Sequence, residues 1–151
     1  IEPDFFEFHL SYSDMKLNPK DYIKDVSDAD FVVHAPELFS NSHLMDLATD
    51  DNLYRKESMI QTQKVIDITR DLNKYFPSTN RPLIVANVGG FSMDESFSQE
   101  KKENLYKTFG ESLDSLDTDG IEIIPQTMAP FPWHFGGQRF QNIFVLPNEI
   151  V

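Results

Sequence analysis

Cysteine is absent from this chain of 151 residues. No disulfide can staple the fold, and no thiolate is available as a nucleophile or soft metal ligand. Basic residues are scarce: 13 Lys and Arg stand against 25 Asp and Glu, for a formal net charge of -12. A field of that sign repels phosphate backbones and anionic lipid, which argues against nucleic acid and membrane surfaces as partners. No apolar run approaches the roughly 18 residues of a membrane helix, and no signal peptide is recognisable. These absences predict a reducing, cytoplasmic setting. An initiator methionine is missing too. The chain opens on Ile1 and a strand pattern follows almost at once, as in a piece of a longer protein.

What is present is the composition of one globular domain, 40% hydrophobic and 25% charged. Four apolar runs each stop at polar residues. Phe5-Phe6-Glu7-Phe8-His9-Leu10 runs into Ser11-Tyr12-Ser13-Asp14. Phe31-Val32-Val33 runs into His34-Ala35-Pro36-Glu37. Leu83-Ile84-Val85-Ala86 runs into Asn87-Val88-Gly89-Gly90, and Ile121-Glu122-Ile123-Ile124 into Pro125-Gln126-Thr127. Between the runs lie helical patterns. Val65, Ile68, Leu72 and Phe76 recur at spacings of three and four, which predicts a helix over roughly Leu53 to Phe76, with Asp50 and Asp51 just before it as suits a helix start. Leu105, Phe109, Leu113 and Leu116 predict a second helix from Gln99, with capping-box spacing between Ser96 and Gln99. Pro19 suits the start of a shorter helix to Val26.

Strands separated by long crossovers pair in parallel, with right-handed connections. The expected fold is therefore α/β: parallel (β/α) units forming about half of a TIM barrel, with the whole chain, 1–151, a single partial-barrel domain of about four units. The runs contain few polar gaps, which predicts strands covered on both faces. Asn142 to Val145 reads either as a fifth short strand or as the approach to a helix near Pro147. In sheets of this kind ligands bind beyond the carboxyl ends of the strands.

The strand ends carry the candidate chemistry. His9 and His34 can ligate a metal, move a proton or hydrogen-bond a sugar hydroxyl; equally, each can be a histidine satisfied within the fold. Glu37 and Asp14 are the carboxylates placed to act as base or hard-metal ligand, or simply to start a solvated loop. Glu7 and Glu122 lie within strands, where acidic groups need partners. Asn87-Val88-Gly89-Gly90 and Gly136-Gly137-Gln138-Arg139 can bring backbone N–H groups close to a ligand, or can be ordinary turns. Trp133 and His134 lie in an aromatic stretch from Met128 to Gly137 that reads as a lid over the strand ends, or as a loop pinned by its own aromatics.

At these residues the chain resembles the sugar phosphate isomerase/epimerase family, with its xylose-isomerase-like barrel and endonuclease IV-like relatives. The resemblance rests on Phe8-His9-Leu10-Ser11, Val33-His34-Ala35-Pro36-Glu37, Asn87-Val88-Gly89-Gly90-Phe91-Ser92, and the run from Pro125-Gln126-Thr127 through Trp133-His134 to Gly137. It spans nearly the whole chain but only about half of the family's barrel. It implies proton transfer next to a carbonyl of a sugar or sugar phosphate, in surface polysaccharide or sialic-acid-like sugar biosynthesis. The implied catalytic pair is His34 and Glu37, which would also hold a divalent metal (Mn, Zn or Mg). His9, Asn87, Gln126, Trp133 and His134 would contact substrate. Gln126 stands where the family usually has a glutamate, and Asn87 where metal-binding members carry histidine. An amide takes no proton at neutral pH. The alternative is therefore a carbohydrate-binding or structural domain that has lost catalysis. The expected partners are a small sugar, and either a second copy or the rest of the parent chain to complete the barrel.

Overall fold

The structure is a computed structural model and describes residues 3–129, 131, 137 and 139–149. Its elements are β1 (Phe5–His9), β2 (Asp30–His34), α1 (Asn52–Asn73), β3 (Leu83–Ala86), β4 (Phe91–Ser92), α2 (Gln99–Asp114), β5 (Glu122–Pro125) and β6 (Phe140–Gln141). β1, β2, β3 and β5 form one sheet in that spatial order, every pair parallel. β4 and β6 form a separate antiparallel pair that the sequence reading did not anticipate. The chain is thus α/β, with a four-stranded parallel sheet and two long α-helices among the described residues. No helix among the described residues is long and apolar enough to cross a membrane.

Both long helices fall where the apolar spacing puts them. Asp51 caps α1 by accepting from the N–H groups of Leu53 and Tyr54, both at 3.0 Å. Val65, Ile66 and Leu72 are buried on its sheet-facing side. So are Thr62 and Thr69, whose hydroxyls donate to the carbonyls of Ser58 and Val65 one turn back and so need no other partner. The cap of α2 is Ser98, whose hydroxyl accepts from Lys101 N. Ser96, the residue with capping-box spacing, donates instead to Asn142 Oδ1 at 3.2 Å.

The expected helix from Pro19 to Val26 does not form. Only a 3-10 turn over Pro19–Asp21 is present, with Asn18 capping it. A helix so short holds only if packing fixes it, and Tyr22 and Val26 remain exposed. A hollow of about 360 Å³ lies beside Phe8, Leu10, Tyr22, Ile23 and Ile68. Asn142 to Val145 is neither strand nor helix; β6 ends just before it, and a 3-10 turn over Pro147–Glu149 follows.

The two faces of the sheet differ. Phe31, Val33, Ile84 and Ala86 point to the helical side and join one core with Val65, Ile66, Leu72, Leu105 and Phe109. Burying side chains of the size of Phe31 or Ile84 contributes about 1.5–3 kcal/mol each. By alternation, Glu7, His9, Val32, His34, Leu83, Val85 and Ile124 lie on the opposite face, and all but the buried Val32 are half-buried or exposed. The expectation of strands covered on both faces is met on the helical side and, on the other face, at Val32. Edge strand β1 departs furthest, with Phe5 55% and Phe6 36% exposed.

Candidate functional site

The parallel ladder continues past the strands, and this sets the geometry of their polar ends. Leu10 N donates to His34 O, Ala35 N to Val85 O and Gln126 N to Ala86 O, at 3.0, 2.8 and 2.8 Å. His34, Asn87 and Gln126 are thereby brought to neighbouring positions at one end of the sheet.

His34 is the centre of the group. Its Nε2 lies 3.0 Å from Gln126 Oε1, and its Nδ1 lies 3.2 Å from Ala35 O. An Nδ1–H that donates to Ala35 O leaves Nε2 to accept from the amide NH2. A doubly protonated ring would donate to the amide oxygen instead. Gln126 can serve either form by turning over, and takes no proton itself. His9 stacks on His34, with ring centroids 4.7 Å apart and planes within 6°. Glu7 Oε1 lies 2.8 Å from His9 Nε2, although both side chains are largely exposed. The row from Glu7 through His9 and His34 to Gln126 crosses the open face of the sheet. Glu122, the other acidic strand residue, pairs with Arg81 at 3.4 Å.

One of the expected carboxylates plays another part. Asp14 accepts from both the N–H and the hydroxyl of Ser11 at 2.7 Å, and the side-chain hydrogen bond leads in holding its carboxyl below the ordinary range. It secures a turn. Glu37 is half-buried and not free of partners, and its carbonyl accepts from Met45 N at 2.8 Å. Both ring nitrogens of His34 are engaged elsewhere, so His34 and Glu37 do not form a hydrogen-bonded pair. Trp133 and His134 lie outside the described residues. Arg139 sets its guanidinium over the Phe91 ring at 5.8 Å.

Asn87 is 3% exposed. Its Oδ1 accepts from Gly89 N at 3.2 Å, while its Nδ2 is buried without a partner. An unpaired buried amide group costs about 1–3 kcal/mol. The unpaired atom is an N–H donor, which attracts an oxygen and repels a cation. Among the described residues no group of three or more His, Asp or Glu is placed to hold a metal ion. No chemical step is assigned to the divalent metal expected at His34 and Glu37.

Sequence reasoning missed the support beneath Asn87. Asp46 is buried, and its Oδ1 accepts from Gly90 N at 3.0 Å and Ala48 N at 3.1 Å. Burial pushes its carboxyl above the ordinary range, against the pull of backbone N–H groups from Gly90, Ala48, Thr49 and Phe91. Gly89 sits at φ +92°, and a Cβ there would overlap Asp46. The signal was available as one acid inside the apolar run Leu44-Met45-Asp46-Leu47-Ala48. Asn142 was missed as well. It is fully buried, donates to Gly90 O and Ser92 Oγ at 2.9 Å, and accepts from Phe97 N at 2.8 Å. No protein-family model, curated protein or solved structure matches the chain.

Proposed function

We propose that this chain is part of a sugar or sugar-phosphate isomerase/epimerase-like barrel, and that it binds its ligand over the carboxyl ends of β2, β3 and β5. The observation that carries the reading is the His34–Gln126 contact at 3.0 Å, a proton-transfer group held in place at the end of a parallel sheet. In this reading His34 Nε2 exchanges the Gln126 amide for the substrate and moves the proton next to its carbonyl, while Nδ1 stays on Ala35 O. Gln126 then hydrogen-bonds substrate, His9 stacks behind the ring, and Asn87 donates to a substrate oxygen. Glu37 remains the second candidate base. Four parallel strands in chain order support the barrel reading, since an eight-stranded barrel would need four more. The free edges of β1 and β5 are where further strand-helix units of a parent protein, or a second copy, would add. The absence of cysteine goes with a cytoplasmic location. Surface polysaccharide or sialic-acid-like sugar biosynthesis is the context that the sequence resemblance suggests.

A second reading has its own observation. Gln126 occupies the position nearest the histidine without being able to accept a proton, which favours a carbohydrate-binding domain without catalysis. One experiment separates them. The protein is incubated with D-fructose 6-phosphate in D2O, and deuterium next to the carbonyl is followed by NMR. Exchange that falls about 100-fold or more in His34→Gln supports the enzyme. Binding without exchange supports the second reading, and no binding at all overturns both.

A further inference from the structure

We infer that Asn87 and Gln141 form a buried subsite for a ligand hydroxyl at the tip of β3. Two amides grip one residue there. Asn87 Oδ1 accepts from Gly89 N, while Gln141 Nε2 donates to Gly89 O and, at 3.2 Å, to Ile143 O. Each amide spends one end on the backbone and leaves the other unused. Asn87 Nδ2 and Gln141 Oε1 are both buried with no hydrogen-bond partner. Native interiors leave very few such atoms unpaired. Turning either amide over does not help. A reversed Asn87 would set its NH2 against the Gly89 N–H, and a reversed Gln141 would set its oxygen against two carbonyls. The Gly89-Gly90 turn brings no side chain of its own to pair with them.

One orphan is a donor and the other an acceptor. Both amides lie against Gly89, and a hydroxyl carries both complementary functions, an oxygen that can accept from Asn87 and a hydrogen that can be donated to Gln141. A fully ionised phosphate or carboxylate oxygen satisfies only Asn87. An ammonium satisfies only Gln141. Asn87 directly follows β3, between the strand ends that carry His34 and Gln126. The inference rests on the reading of those ends as a sugar site. It adds which group of the sugar is recognised there, and it brings in Gln141, a residue of β6.

The test pairs a variant with a set of ligands. Asn87→Asp keeps the size of the side chain and the contact with Gly89 but replaces the unpaired donor with an acceptor. Wild type and variant are titrated with D-fructose 6-phosphate and with its single-deoxy analogues, and the side-chain amide signals are followed by 1H–15N NMR. One deoxy analogue is expected to bind the wild type about tenfold more weakly than the parent sugar, and to lose nothing further in Asn87→Asp. That analogue should also leave the Asn87 NH2 signals unmoved, which decides the matter alone if the variant does not fold. If the wild type binds the sugar but every deoxy penalty persists in Asn87→Asp, the orphans hold only a structural water and the subsite is wrong. If the wild type binds no sugar, the sugar-site reading fails and the subsite with it.

Discussion

The turn after β1 and the turn after β3 each hang on one aspartate that accepts backbone N–H bonds, yet they do different jobs. Asp14 reaches three residues back to Ser11 and stays near the surface. Asp46 reaches across the sequence to Gly90, inside the core, where Asn142 ties in the same glycine. The first bond shapes a loop. The second fastens the loop after β2 to the end of β3. Bonds of one chemical kind thus differ in consequence according to burial and sequence separation, because a buried acceptor that loses its donors cannot fall back on water.

The sharpest way to break this contrast is Gly89→Ala. The methyl would overlap Asp46 and occupy a left-handed backbone conformation, so the loss should be about 4 kcal/mol or more in a denaturant titration. Asn142→Ala should follow at about 3 kcal/mol in the same measurement, because it strips Phe97 N of its acceptor and removes the side-chain bonds to Gly90 O and Ser92 Oγ, which keep only Asn142 N–H and Glu95 O. The two aspartates should then show opposite pH dependence. The native carboxyl of Asp46 sits above the ordinary aspartate value of 3.8, so the folded state holds that proton more tightly than the unfolded chain. Stability from Asp46 is therefore highest below 3.8 and is lost as pH rises through the native pKa. Asp14 is lowered, so its smaller, solvent-screened contribution is present above 3.8 and is lost as pH falls through its native pKa. Thermal melts across acid pH should show one slope flattened by Asp46→Asn and the opposite one by Asp14→Asn. The smallest effect belongs to the exposed edge. Phe5→Ser should change stability by under about 0.5 kcal/mol, since Phe5 is 55% exposed.

The sequence was legible where local pattern decides structure. Apolar runs located β1, β2, β3 and β5, and three-and-four spacing located α1 and α2 to within a few residues. It misled where a neighbour decides. Pro19 and Ser96 carry genuine helix-start signals, but the first segment gains no packing and Ser96 is drawn off by Asn142. The aromatic run of β1 reads as core, although an edge strand has only one flank to bury against. At the strand ends, His34 was legible as a terminal histidine. Its pairing with Gln126 joins residues 92 positions apart and left no local trace. Asn142 opened a stretch that reads as a short strand or as the approach to a helix, and Gln141 just before it drew no notice, because the pairing of β6 with β4 joins residues about fifty positions apart.

Chain order and spatial order coincide in the main sheet, and every strand points the same way. A fold laid down like this is additive. Another strand and its crossover can be appended at either flank without threading through what is already built or reversing any existing register. Such a sheet is suited to growth by tandem duplication, and each new strand would deliver its last residues to the same rim where His34 and Gln126 already meet.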